Sequence, residues 1–228
     1  MSKDIVVREK TLPSTEVLHS LVSEDIPTDK ILIPRINLLQ ALSDAVQSDG
    51  QKQGTFNNSI TKENYGETVN LIPLSIKFGA LYLEKGVGMK CRSADGVTNM
   101  FGDSCAKCPF NVNYKTWHEG KPPKCTQTVD LLALETETMQ PAVLTFRATS
   151  YKEGLRLATQ LKLSRQAIAV RIGGFKDKND HGTFFILKML AVTPLSKEQH
   201  EIALKWREML KQSAYEVADE NAEGSAAA

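Results

Sequence analysis

ETVNLIPLSIKFGALYLE, residues 67–84, is dense in β-branched, aromatic and aliphatic residues with partial alternation. Such a run reads as one long strand or two short ones. Strand character returns in CTQTVDLLALETE (125–137) and AVLTFRATS (142–150). Further on, QAIAVRIGGF (166–175) and GTFFILKMLAV (182–192) flank the turn-rich KDKNDH. That pattern predicts a β-hairpin, with Gly173–Gly174 marking a bulge.

Helical signals fall between and outside these strands. Ser150 and Glu153 have capping-box spacing, and Leu155, Ala158 and Leu161 share a face, which predicts a helix over 150–163. Ser196 and Gln199 repeat the signal and open a helix with an apolar stripe of Ile202, Trp206, Met209 and Leu210. Upstream, Ile36, Leu39, Leu42 and Val46 recur near helical spacing in PRINLLQALSDAVQ (34–47), so a short helix is expected there. An extended start at residues 31–34 competes with it. SDGQKQGTFNNS (48–59) reads as a loop. The order is arm, helix, strands, cysteine segment, strands, helix, hairpin, helix. It predicts a mainly β chain with helices (α+β), a small Greek-key barrel of the OB-fold type. An antiparallel α+β sheet is the main competitor. A doubly wound parallel fold does not fit, because strands and helices do not alternate regularly.

The composition is that of an ordinary globular chain, with 41% apolar and 24% charged residues in 228. No apolar run approaches the roughly 18–20 residues that span a bilayer, so no membrane partner is expected. The N-terminus, MSKDIVVREKTLPSTE, lacks an apolar stretch after its charges, and an intracellular, cytoplasmic protein is expected (host cytoplasm if viral). Net charge is only +1, but it is unevenly spread. Residues 1–74 carry 7 basic and 10 acidic residues (net −3), residues 75–195 carry 17 and 10 (net +7), and residues 196–228 carry 4 and 7 (net −3). A basic centre between acidic ends suits a protein that holds a polyanion centrally.

All four cysteines lie in one segment, with the spacing Cys91-x13-Cys105-x2-Cys108-x16-Cys125. The segment has few aliphatics, so it cannot build its own core and needs a staple. A reducing compartment disfavours disulfides. Two thiolates with two residues between them reach one ion from a tight turn, and Cys91 and Cys125 complete a tetrahedron if their flanking strands run side by side. Four thiolates leave no position for water, so one structural Zn2+ is the expected cofactor. An iron–sulfur cluster, echoed by Pro109 after Cys108, is a second reading, although the spacings are wide for one. A CxxC redox centre leaves Cys91 and Cys125 unexplained. Free buried cysteines complete the alternatives, and His118 is a substitute ligand. The chain has no HExxH, P-loop, GxSxG or dinucleotide fingerprint. The zinc-deaminase signature is absent too, since here the proline follows the CxxC. No enzyme activity and no catalytic residue are expected.

Binding of single strands needs cations for phosphates and flat rings for bases. The basic centre interleaves both. Candidate nucleic-acid contacts are Lys77 and Tyr82 in the first strand, and Lys107, Phe110, Tyr114, Lys115 and Trp117 in the cysteine segment. Arg147, Tyr151, Arg156, Arg171 and Lys176 follow. Lys124 and Phe175 belong to the same interleaved pattern. Alternation puts Phe146 and Arg147 on opposite strand faces. Phe146, Phe184, Phe185 and Trp206 read as core.

Three stretches carry a family resemblance: PRINLLQ (34–40), NLIPLSIKF (70–78) and CRSADG…GDSCAKCP…KC (91–125). Over residues 30–195 the chain resembles bacteriophage-type single-stranded-DNA-binding proteins built on an OB-fold, including those with a zinc-binding insertion. The resemblance implies sequence-tolerant binding of single-stranded DNA in replication or recombination, with RNA left open. It also implies an acidic C-terminal tail that recruits partner proteins. Glu216, Asp219, Glu220 and Glu223 supply a modest acidic end, but no terminal aromatic follows them. The expected layout is an N-terminal arm (1–30) and an OB-like nucleic-acid-binding domain (31–195) with its zinc-binding insertion (91–125). A C-terminal helix (196–217) and a disordered acidic tail (218–228) follow. The rival function is a zinc-containing interaction module that acts on RNA polymerase or on replication proteins. Replication, recombination or transcription proteins are the expected protein partners, through the tail or the zinc loop; the oligomeric state is not encoded in any pattern found.

Overall fold

A computed structural model describes residues 32–84, 87–111, 123–180, 182–212 and 216–218. In chain order its strands are β1 (Leu32–Ile33), β2 (Arg35–Leu38), β3 (Phe56–Asn58), β4 (Asn64–Gly66), β5 (Thr68–Glu84) and β6 (Gly88–Ser93). β7 (Cys125–Glu135), β8 (Pro141–Arg147), β9 (Ile168–Asn179), β10 (Gly182–Pro194) and β11 (Glu216–Val217) follow. The helices are α1 (Asp44–Gln47), α2 (Tyr151–Leu163) and α3 (Lys197–Gln212). None of these helices is long and apolar enough to cross a membrane, among the described residues. The N-terminal arm expected over 1–30 and the tail beyond Ala218 lie outside the described residues.

The run at 67–84 forms one strand, not two. β5 pairs antiparallel with β9 at its start, with β7 along most of its length and with β6 at its end. The sheet order is β10-β9-β5-β7-β8-β2-β3-β4, with β6 beside β5. The chain is thus mainly β with a few helices, and its main sheet curls into a half-barrel. A register shift between Pro73 and Ser75 sets the faces of β5. Proline lacks the N–H that a continuous ladder would use, so the break falls there. Beyond it, Ile76 joins the inner core and Lys77 faces out.

Two apolar clusters use the two faces. The inner one gathers Ile36, Phe56, Leu71, Val129, Leu131, Leu144, Phe146, Val170, Ile172 and Leu187 from seven strands, with Leu157 of α2 packed in. The outer one joins Ile33, Ile72, Leu74, Leu132, Leu134 and Val143 to Ala203 and Leu210 of α3, with Trp206 packed against it. Phe146 and Trp206 therefore act as core residues. Helix α2 approaches closely because position 154 is glycine. A Cβ there would stand 2.8 Å from the Cβ atoms of both Phe146 and Val129.

The curl brings β10 to the end of β2 without a backbone ladder. The Gln40 side chain bridges them instead: its Nε2 donates to the Phe185 carbonyl (3.0 Å), and its Oε1 accepts from the Phe185 N–H (2.8 Å). One amide side chain thereby reproduces a rung. Ser150 Oγ accepts from the Leu187 N–H one step along β10.

Several expectations need correction. The helix expected over 34–47 is confined to Asp44–Gln47. Residues 35–38 are strand because β8 pairs on one side and β3 on the other, and this pairing outweighs the helical spacing. The loop expected over 48–59 contains β3. Gly173–Gly174 is not the bulge; the register shift lies on the partner strand between Met189 and Ala191. These glycines serve close approach, since a Cβ on Gly174 would meet Leu38 Cδ1 at 2.5 Å and the Gly54 carbonyl oxygen at 2.6 Å. Ser150 does not cap α2, because its hydroxyl is engaged by Leu187. The capping box at Ser196 forms as expected, with reciprocal 3.1 Å bonds to Gln199. The C-terminal helix ends at Gln212, and Glu216–Val217 returns as a strand parallel to β1.

One buried polar group stands apart. Asn57 is fully buried, and neither its Nδ2 nor its Oδ1 has a hydrogen-bond partner among the described residues. Such an orphan costs about 1–3 kcal/mol.

The close approach at residue 154 gives a stability test. Gly154→Ala forces α2 away from the sheet and should cost about 1–3 kcal/mol. Thermal unfolding should show a loss of about 2–4 °C per kcal/mol; an unchanged melting temperature would mean that α2 has slack.

Candidate nucleic-acid interface and cysteine cluster

The register of β5 places two of the cysteines. Tyr82 is the paired residue of both Cys91 on β6 and Cys125 on β7. Paired residues point to one face, so the two thiols flank the Tyr82 ring. Cys105 and Cys108 come from the segment between β6 and β7, on a single 3-10 turn (Cys105–Lys107) and its end. All four cysteines line one cavity of about 140 Å3, together with Phe78, Tyr82, Phe110 and Tyr151.

The segment holds its shape through local hydrogen bonds. The Asp95 carboxylate accepts from Val97 N–H (2.8 Å), Thr98 N–H (2.9 Å) and Ser93 Oγ (3.0 Å). These bonds, that from Thr98 first, hold its carboxyl below the usual range. Asn99 Oδ1 accepts from the N–H groups of Phe101 and Asp103. Backbone bonds then carry the chain to the cysteines: Cys105 N–H to the Val97 carbonyl (2.8 Å), and Cys125 N–H to the Phe110 carbonyl (3.0 Å). The latter fixes Phe110 beside β5.

Sulfur donors gathered on one cavity suit a thiophilic ion by their chemistry. Their arrangement is not a closed shell. No three His, Cys, Asp or Glu side chains among the described residues are disposed to hold an ion together. The register explains this in part. Cys91 and Cys125 sit on the two strands flanking β5, about 9–10 Å apart at ordinary strand spacing, with Tyr82 between them. The thiols still feel one another. Burial, and then the neighbouring sulfurs, push Cys125 up to about 11; the same causes in the same order raise Cys91.

Flat rings and a cation adjoin the cysteines. The Tyr82 and Phe110 rings lie 5.2 Å apart, tilted by 39°. Lys124 Nζ stands 5.4 Å from the Phe110 centroid and 6.0 Å from that of Tyr82. Phe110 and Phe78 are exposed despite their size. Tyr151, at the start of α2, completes the wall.

The structure therefore brings together Tyr82, Phe110 and Tyr151 from the expected contacts, with exposed Lys107 on the turn between two cysteines. The others lie elsewhere. Lys77 is on the opposite face of β5, lining a groove with Arg35, Arg92 and Asp130. Arg147 lines a separate cavity beside β10. Arg156 is on α2 and pairs with Glu153 at 2.9 Å. Arg171 donates to Asn70 Oδ1 on β5, and Lys176 is exposed near the tip of the β9–β10 hairpin. Tyr114, Lys115 and Trp117 lie outside the described residues, as does His118. Sequence reading gave too little weight to Phe78 and Lys124. The signal for Lys124 was its place beside Cys125; for Phe78 it was an even spacing from Tyr82, which puts both on one face of a strand.

The raised Cys125 thiol gives a chemical test. A higher pKa leaves less thiolate at pH 8, and the partly compensating gain in nucleophilicity leaves a net effect of about tenfold. In metal-free protein, alkylation followed by peptide mass spectrometry should show Cys125 reacting about tenfold more slowly than a thiol of ordinary pKa. Equal or faster labelling would contradict the burial described.

No curated protein and no solved structure matches the chain. A family model does: that of the Pam3 phage gp34-like proteins matches residues 13–216, which spans β1 to the start of β11. The chain belongs to the Pam3 phage gp34-like protein family.

Proposed function

We propose that this protein binds single-stranded DNA without sequence preference and without catalysis, in support of phage replication or recombination. One observation carries the reading: the paired rings of Tyr82 and Phe110, with Lys124 over both, beside exposed Phe78. Exposed Phe78 and Phe110 and half-buried Tyr82, next to a cation, offer stacking surface to bases and charge to phosphate, the two needs of sequence-tolerant binding. The half-barrel is read as an OB-type barrel, an architecture that presents such a wall on one side. The phage family name is consistent with a replication or recombination role.

We infer that the four cysteines, which line one cavity, draw together around one structural zinc ion when it binds. Four sulfurs satisfy zinc without water, so the ion builds structure and offers no site for chemistry. Its work would be to brace the segment that carries Phe110 against β5.

A second reading has its own observation. Val97, Met100 and Phe101 expose 64%, 57% and 67% of their surface on one turn of the cysteine segment. Large apolar groups in solvent mark protein contacts, here with a replication, recombination or transcription protein. A partner retained on the wild-type protein from nuclease-treated host lysate, and lost in Phe101→Ser, would favour this reading over DNA binding.

Two outcomes test the leading proposal. Fluorescence anisotropy with labelled oligo-dT should show binding that weakens steeply with salt, because phosphate contacts release counterions. Tyr82→Ala or Phe110→Ala should weaken it at fixed salt by about 5- to 150-fold, the span of about 1–3 kcal/mol for one stacked base. Salt-insensitive binding, or none, would sink the proposal. Elemental analysis of purified protein should find one zinc per chain, lost in the Cys105→Ser, Cys108→Ser double variant; iron in its place would overturn the zinc assignment.

A further inference from the structure

A second cavity of about 140 Å3 opens where β10 meets β2 and the end of β8. Its wall differs in kind from that of the cysteine cavity. Arg147 lines it, as does Arg35, whose guanidinium is held by the Ala218 carbonyl and Thr145 Oγ1; no aspartate or glutamate does among the described residues. Asn37, Gln40, Thr149, Phe184 and Phe185 are also in its lining, with the Phe185 ring packed on Gly54 and the Gln40 amide bonded to the Phe185 backbone. Phe184 and Phe185 are half-buried here, not core as their sequence suggested. Among the described residues the cavity therefore carries, besides the held Arg35, one arginine side chain, Arg147, beside hydrogen-bonding groups and an aromatic residue, with no acid in its lining.

Two further features set it apart. Its floor includes Ala148, a non-glycine residue with φ of +47°. Backbone held in this region clusters at functional sites. Asn37 also stands opposite Asn57 in the β2–β3 register, so their side chains share a face. Asn57 is the fully buried amide with no partner among the described residues. An unpartnered buried amide thus stands behind an amide on the cavity wall.

We propose that this cavity holds one nucleotide unit of a bound single strand, with Arg147 at the phosphate, Asn37 at the base edge and Phe184 against the base face. The proposal rests on the single-strand reading and extends it to a second site. The turn at 148–150 joins the two sites, since Arg147 before it lines this cavity and Tyr151 after it lines the cysteine cavity. A strand would run from the Tyr82–Phe110 wall, across the turn, to Arg147. A nucleotide fits the chemistry better than an apolar ligand would, because Arg147 and the Asn37 amide would lose water without replacement.

The test uses the full chain and oligo-dT. Asn37→Asp places a negative charge on the cavity wall and should weaken binding by about tenfold or more, with an unchanged melting temperature. Arg147→Ala should reduce the salt slope by about one phosphate contact. Photo-crosslinking of wild-type protein to 5-iodouracil oligonucleotides, which needs no variant to fold, should map to the peptide containing Phe184 as well as that containing Tyr82. Wild-type protein that binds oligo-dT but cross-links at Tyr82 and Phe110 alone overturns the second site and leaves the first. Wild-type protein that does not bind oligo-dT overturns the single-strand reading and this one with it.

Discussion

The backbone pairing of β5 at Tyr82 is the constraint from which the rest of the candidate site follows. One residue is paired on both sides, with Cys91 on β6 and Cys125 on β7. Side chains at one level of a sheet share a face, so this register alone puts two thiols and an aromatic ring together. The close contact between β5 and β6 depends on Gly79. A Cβ there would stand 2.5 Å from the Ser93 carbonyl oxygen. The segment between Cys91 and Cys125 adds the other two cysteines and Phe110, anchored by the Cys125–Phe110 backbone bond. A one-residue slip of β6 would send Cys91 to the other face.

The opposite face of the sheet is tied down by charge instead of sulfur. Buried Arg35 donates from Nε to the Ala218 carbonyl (2.8 Å) and from Nη1 to Thr145 Oγ1 (2.9 Å). Thr145 Oγ1 donates to Asp130 Oδ1 (2.7 Å), whose other oxygen pairs with Arg92 at 2.6 Å. This chain of polar contacts links the residue after β11 to β2, β8, β7 and β6. It also closes the C-terminal strand over the sheet, next to the α3 contact with the outer core. Breaking such a network by removing one partner is costly, because the others are left desolvated. The two faces therefore divide the labour: one is locked by the Arg35 network and α3, while the other leaves rings and cations exposed.

Much of this was legible in the sequence, and the limits have physical reasons. Strand-rich runs announced β5, β7, β8 and the β9–β10 hairpin, because burial on both faces selects β-branched and aliphatic residues throughout. The grouping of the cysteines was visible, but the strands that flank them were expected side by side, whereas β5 lies between β6 and β7. The Ile36–Val46 spacing misled because a ladder with β3 and β8 decides the conformation of Arg35–Leu38, and no local signal reports a partner more than a hundred residues away. Ser150 carried a cap signal yet serves β10, again a long-range contact. Lys77 and Tyr82 were grouped by proximity in sequence, whereas the odd interval between them separates their faces. Asn37 and Gln40 had no signal at all, since their role exists only where the half-barrel meets β10.

The most direct measurement is an amide chemical-shift map of the full chain titrated with oligo-dT. Binding to the aromatic wall predicts shifts that concentrate at Tyr82, Phe110, Lys124 and Tyr151 and continue through residues 147–150, with α3 unmoved. Shifts confined to the outer face, or no shifts at saturating oligonucleotide, would contradict it.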